Sequence, residues 1–258
     1  MSTLGICKLC EQEKELQLSH AIGNAVFKRI FKTNSGKGIT IRDNNSPIDY
    51  SSDSWAELQL CSECELHLNN EYERYSLKAL RDHRNCVKTP TCLTFCGVDQ
   101  YKLMLYFLSI YYRSALSSQR PYQNTHITKQ HQRLLKVVLL GNQCIEYNEI
   151  PVKISRVIDR KAGGFSQEDI KQILCAPFCR VSKGERKTIT ACFLFEGFFI
   201  EIFITGFKFK NRNEHGILNK AKDNLYIPYK DLFSIPEIVD LMVLNLGKYQ
   251  DGNHLIKD

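Results

Sequence analysis

No apolar run in this chain is long enough to cross a bilayer. The longest strongly apolar stretch, Leu103 to Tyr112, is about half of the ~20 residues that a spanning helix needs, and is expected as a buried helix. The first ten residues hold neither a basic stretch nor an apolar one, so no secretory leader is expected. Internal repeats and low-complexity tracts are also missing, which excludes solenoid and disordered classes. The one glycine doublet, Gly163-Gly164, lacks a phosphate-binding context and is read as a plain loop.

What is present is an ordinary globular composition, 43% hydrophobic and 24% charged over 258 residues. That length can bury a sizeable core in one large domain or two ordinary ones. Eleven cysteines would suggest disulfides in a short secreted chain. Here the chain is long and the count odd, so a reducing cytoplasm fits better. Charge is uneven: residues 1–75 hold 8 Lys/Arg against 11 Asp/Glu, or −3, which leaves 27 against 17, or +10, for residues 76–258. An acidic head on a basic body suits a protein whose body holds a phosphate backbone while the head acts on it.

Two Cys-x-x-Cys pairs, Cys7/Cys10 and Cys61/Cys64, carry the strongest chemical signal. Four thiolates suit a tetrahedral Zn²⁺, whose closed coordination folds a module and performs no hydrolysis. A redox pair would require a βαβ context, and neither Cys-x-x-Cys has one. Between the pairs lies Ser19-His20; after the second come Glu65, His67, Asn69 and Glu71. A further group, Cys86, Cys92 and Cys96, is irregularly spaced and suggests no fourth ligand.

These segments, Cys7-x-x-Cys10, Leu18-Ser19-His20-Ala21-Ile22, Leu60-Cys61-x-x-Cys64-Glu65 and Asn69-x-Glu71, resemble the zinc-bearing branch of the HNH endonucleases. They also resemble a set of uncharacterised bacterial HNH-like proteins, in which a downstream Ser-x-x-Trp-Arg helix is similar to Ser109 to Arg113 here. The finger resemblance covers about the first 75 residues. Ser19 stands where the family has an acidic residue, Gly23 where its relatives have proline, and no Asn precedes the second knuckle.

The resemblance implies a treble-clef (ββα-metal) finger and metal-dependent cleavage of nucleic-acid phosphodiesters, DNA before RNA. The setting implied is bacterial defence against phage or mobile DNA, with a protein partner in a defence complex. His20 would be the general base. Glu71 would help hold a catalytic Mg²⁺ or Mn²⁺, with His67 or Asn69 as alternatives; positions 67 and 71 lie one helical turn apart. The competing expectation is a non-catalytic zinc adaptor that binds nucleic acid or a protein partner.

The expected architecture is α+β: an HNH-like zinc-finger module over 1–81, a linker or docking loop over 82–97, and a helical core with a β-rich C-terminal region over 98–258. Thr188 to Phe209 reads as a hairpin turning at Glu196-Gly197, and Pro236 opens a last helix. Residues 251–258 read as a frayed tail. Arg113 inside an apolar helix must meet a carboxylate or reach a surface. Lys208, Lys210, Arg212, Lys220 and Lys222, interleaved with Phe207 and Phe209, are the candidate nucleic-acid contacts.

Overall fold

The most apolar segment becomes the axis of the molecule. In the computed structural model, which describes residues 3–82, 84–182 and 188–256, Gln100–Ala115 forms a helix, labelled α4 below, that is buried along nearly its whole length. Asp99 starts it by accepting from the backbone N–H groups of Tyr101 and Lys102, the usual role of an aspartate at a helix N-cap. A helix apolar all round needs cover on every side.

One side is covered by a seven-stranded sheet and the other by the N-terminal half of the chain. In chain order the strands are β1 (Thr3–Ile6), β2 (Glu13–His20), β3 (Gly38–Thr40), β4 (Asp49–Ser51), β5 (Ala56–Cys61), β6 (Cys86–Lys88), β7 (Cys92–Cys96), β8 (Val152–Ile158), β9 (Cys175–Ser182), β10 (Thr188–Phe195), β11 (Phe198–Thr205) and β12 (Asn224–Asp231). The helices are α1 (Asn24–Thr33), α2 (Ser62–Leu68), α3 (Arg74–Arg81), α4, α5 (Lys129–Leu139), α6 (Gln167–Gln172) and α7 (Pro236–Gln250), with a π-helical turn, Asn69–Glu73, joining α2 to α3.

The large sheet runs β6-β7-β12-β8-β11-β10-β9. All its neighbours are antiparallel except β12 and β8. Side chains alternate across β10, so Phe193 and Phe195 meet Phe107 and Tyr106 of α4. Cys192 and Leu194 face the opposite way, into a second core closed by Ile170 of α6 and Ile238 of α7. The β10–β11 turn puts Glu196 and Gly197 at φ 49° and 74°, the paired positive values of a two-residue hairpin turn. A side chain at position 197 would also meet the Arg156 guanidinium.

At the N-terminus β1, β2 and β5 make a small antiparallel sheet, and α2 follows β5 without a loop. The fold is thus mixed α and β, with a four-cysteine cluster near its N-terminus. Cys7, Leu9, Leu60, Cys64 and Leu68 belong to the same core cluster as Phe107 and Phe193, so the head and body share one interior. The expected linker or docking loop over 82–97 carries two strands in its described residues: β6 and β7 extend the large sheet through β12. The tail is pinned as well. The Leu255 N–H donates to the Ile48 carbonyl at 2.7 Å and the Ile48 N–H to Asn253 at 3.2 Å, while residues 257 and 258 lie outside the described chain.

Candidate metal centre and adjoining cleft

Two turns bring the four cysteines together. The first knuckle closes where the Glu11 N–H donates to the Cys7 carbonyl at 2.8 Å, with Glu11 at φ 58°. The second lies where β5 passes directly into α2, with Cys61 as the residue before the helix. The sulfurs of Cys7, Cys10, Cys61 and Cys64 all lie within 4.8 Å of one another, and Cys10 and Cys61 are 3.9 Å apart. A tetrahedron with Zn–S bonds of 2.3 Å has edges of about 3.8 Å, so the set can hold a metal ion such as zinc. Cys7 is the thiol most inclined to ionise. The Cys64 thiol donates to it, and backbone N–H groups, Cys61's among them at 3.3 Å, outweigh its burial.

His20, the last residue of β2, opens a cleft of about 170 Å³ next to this centre, lined also by Gly23, Asn24, Ala25, Glu65, Leu66, Asn69 and Glu73. Its neighbour Ser19 points into the core at 2% exposure, so strand alternation turns only the imidazole towards the cleft. His20 Nε2 and Ser54 Oγ lie 2.9 Å apart, which fixes the ring; among the described residues Nδ1 has no hydrogen-bond partner. Burial holds the His20 pKa below its ordinary value, with Arg113 and Lys28 acting the same way and Glu65 and Asp53 opposing. The ring is therefore neutral at pH 7 and able to accept a proton.

The opposite wall comes from the helix after the second knuckle. Cys64, Leu68 and Tyr72 bury inward, and Glu65, Asn69 and Glu73, spaced by four, flank that stripe on the cleft side. Behind them Arg113 is 2% exposed, 3.7 Å from Glu65 Oε1 and 3.6 Å from Glu73 Oε2. Neither pair meets hydrogen-bond geometry, and Arg113 Nη2 and Glu65 Oε2 are both buried without a hydrogen-bond partner. Burial pushes the Glu73 pKa up, and the Arg113 charge opposes it. Glu73 also folds across Gly23, where a Cβ would fall 2.6 Å from its carboxyl carbon.

The other expected site residues lie elsewhere. Glu71 is exposed and does not line the cleft, and His67 faces α5, its Nε2 2.9 Å from the Leu139 carbonyl oxygen. Neither Glu71 nor His67, the residues that the resemblance implied for a catalytic cation, reaches the cleft; its carboxylates are Glu65 and Glu73, on the other flank of the helix. Lys208, Lys210, Arg212, Lys220 and Lys222 occupy the β11–β12 connection. Arg212 stacks on Phe209 at 3.6 Å and Lys220 meets Glu146 at 2.6 Å. Gln100, in the first turn of α4, donates to the Lys222 carbonyl, whereas Arg113 is in the last turn, about 20 Å along the helix at 1.5 Å per residue. The basic cluster therefore does not border the cleft.

Cys86, Cys92 and Cys96 lie on β6 and β7; among the described residues only the four N-terminal cysteines form a group able to hold a metal at short range. Among the described residues, no helix is long and apolar enough to cross a membrane. Compared with known families, curated proteins and solved structures, the chain matches none.

Proposed function

We propose that this protein is a metal-dependent nuclease with a treble-clef, HNH-like head, cutting nucleic-acid phosphodiesters, DNA in preference to RNA, in defence against phage or mobile DNA. The four cysteines hold a structural zinc, whose closed coordination leaves the reaction to the neighbouring cleft. The observation that carries the reading is the convergence there of a neutral imidazole, two carboxylates and a buried arginine. His20 Nδ1 takes the proton of the attacking water while Ser54 holds the ring. Glu65 and Glu73, with the Asn69 amide, would hold Mg²⁺ or Mn²⁺, hard cations that bind through one or two carboxylates and retain water. Such a cation supplies neutralisation of charge on the phosphate oxygens. Arg113 offsets the cost of burying Glu73 as an anion.

The test is cleavage of plasmid DNA and of RNA with Mg²⁺ or Mn²⁺. His20→Ala should lower the rate about 10²-fold or more while zinc content and Trp55 fluorescence stay as in the wild type. An active His20→Ala protein, a variant whose head unfolds, or a wild type that never nicks a substrate overturns the proposal. One observation favours the adaptor alternative. Among the described residues, no second group of three or more His, Cys, Asp or Glu side chains is gathered closely enough to hold a metal ion. An adaptor would bind nucleic acid or a protein and leave the nucleic acid uncut.

A further inference from the structure

We infer that the outward face of α7 is where a second copy of this chain docks, the two helices pairing antiparallel about a twofold axis level with Asn245. The inference is independent of the nuclease reading. The second half of this helix is inside out. Its polar residues Asn245 and Lys248 are buried: the Asn245 amide donates to the Leu241 and Arg42 carbonyls, and the Lys248 ammonium donates to the Arg42 carbonyl at 2.8 Å. Val243 and Leu246 face solvent instead, at 64% and 58% exposure, with Leu244 exposed beside them. A helix that meets only water and its own body is expected to do the reverse. With Val239 and Gln250 the outward positions run 239, 243, 246, 250, the alternating spacing of four and three that marks a seam between two helices.

Gly247 lies in the same stripe. It sits inside a regular helix, where only proline is less favourable, and its Cβ position has nothing within 4 Å. The chain itself makes no use of that space, which leaves a notch beside Val243 and Leu246. The helix is its own match for it. When a second α7 runs antiparallel with the two Asn245 residues level, positions equally far on either side of 245 stand opposite each other. Val243 then fills the space over Gly247 of the second copy, and the two Leu246 side chains meet at the axis. The Asp240 carboxylate comes opposite the Gln250 amide, an acceptor across from a donor; among the described residues neither side chain forms a hydrogen bond or an ion pair. A parallel pair would set the two Asp240 carboxylates at one level with no donor between them. Charge also argues against a lipid or polyanion on this face. Lys248, the one basic residue of α7, is 8% exposed, and Asp240 and Asp251 flank the stripe, whereas an interfacial helix displays lysine and arginine. One helix about 22 Å long makes an interface at the small, transient end of the range, so monomer and dimer exchange at micromolar concentration.

The test is sedimentation velocity of the full-length protein from about 1 μM to about 1 mM, over which the sedimentation coefficient should rise from that of a monomer to that of a dimer. Leu246→Glu sets two carboxylates together at the axis and should weaken association about 10²-fold or more. Gly247→Gln fills the notch with a better helix former. It should weaken association while raising the urea midpoint, measured at submicromolar protein where the monomer prevails, so its loss of dimer cannot be a loss of fold. Gln250→Glu puts a carboxylate opposite Asp240 and should weaken association severalfold, and Asp240→Lys/Gln250→Glu should restore it by placing opposite charges across the axis. A protein that stays monomeric throughout overturns the inference, as does a dimer that Leu246→Glu or Gly247→Gln leaves intact. So does a charge swap that fails to recover what Gln250→Glu loses, or cosedimentation of wild type, but not of Leu246→Glu, with vesicles of phosphatidylcholine and phosphatidylglycerol, which would make the face a lipid contact.

Discussion

Substituting Gly23 by alanine tests the cleft at its narrowest point. The backbone there, φ −55° and ψ 141°, is open to any residue, so alanine brings no backbone strain. It should in fact return about 0.4–1 kcal/mol by restricting the unfolded chain. The conflict lies entirely with Glu73: the new methyl would overlap its carboxylate, with the carboxyl carbon 2.6 Å away and Oε2 at 2.8 Å. Ordinary contact lies about 1 Å further out, near 3.5–4.0 Å between carbons, and the flexible end of the glutamate is what gives way. Misplacing a reacting or ligating group by about 1 Å can cost about 10²-fold in rate.

Stability should move less. Breaking a buried ion pair by displacing one member costs about 3–5 kcal/mol, yet Arg113 keeps Glu65 at 3.7 Å and alanine offsets part of the loss. The expected net destabilisation is about 2 kcal/mol. Urea unfolding can be followed through the only tryptophan, Trp55, whose ring packs edge-on against Phe27 of α1 and Tyr122. A Gly23→Ala/Glu73→Asp double variant, one methylene shorter at the point of overlap, should recover part of the stability lost in the single variant. Wild-type cleavage and an unchanged urea midpoint in Gly23→Ala would refute the argument, because they would mean that Glu73 does not need its present place.

Three further outcomes follow from the same structure. Cys61→Ser should abolish stoichiometric zinc and unfold the head, since metal affinity is folding free energy in such modules; elemental analysis and near-ultraviolet circular dichroism read both. Burial depresses the His20 pKa, so the folded state prefers neutral imidazole. Its stabilising contribution is complete above the unfolded value near 6.5 and is lost as pH falls through the lower folded value. The acid limb of the cleavage profile should accordingly have its midpoint below 6.5, and a midpoint at or above that value contradicts the assignment. Glu196→Gln removes the charge that pairs with Arg29 and Arg81, whose side chains are 43% and 32% exposed. That exposure reduces the expected loss to about 1–3 kcal/mol, below a fully buried pair, as measured by urea midpoint.

Local signals account for what could be read from the sequence. Alternation marks β2 and β8, helical spacing marks α1, a continuous apolar run marks α4, Pro236 marks the start of α7, and the Glu196-Gly197 pair marks the β10–β11 turn. Strand β12 is hidden by Pro228, a residue that argues against a central strand. Its pairing with β8 starts only at Tyr229. Before that point Gly216 fills the gap, at φ +86° and with its own Cβ position 3.0 Å from Pro228 Cδ. Strands β6 and β7 are three and five residues long, too short to show a period around Pro90. At the site, the Cys-x-x-Cys spacing locates the metal centre because its ligands are fixed by short turns. Spacing cannot say which flank of the buried Cys64-Leu68-Tyr72 stripe meets β2. Positions 67/71 and 65/69/73 satisfy helical geometry equally, and only docking against Gly23 and Arg113 separates them.

The last turn of α4 ties these parts together. The Tyr112 hydroxyl donates to the Lys8 carbonyl at 2.6 Å, Gln59 Nε2 donates to the Arg113 carbonyl at 2.9 Å, and the Lys8 ammonium donates to the Leu116 carbonyl. Both knuckle-bearing segments are thus held by a helix that belongs to the body, and the same turn sends Arg113 under Glu65 and Glu73. Zinc alone therefore cannot set the cleft. A metal held by the four cysteines would fix their turns, while the distance from His20 to the carboxylates across the cleft depends on how α4 seats against β5 and the π-helical turn. A head built this way cannot be excised from its body and keep its geometry, which is why the tests above use the full chain.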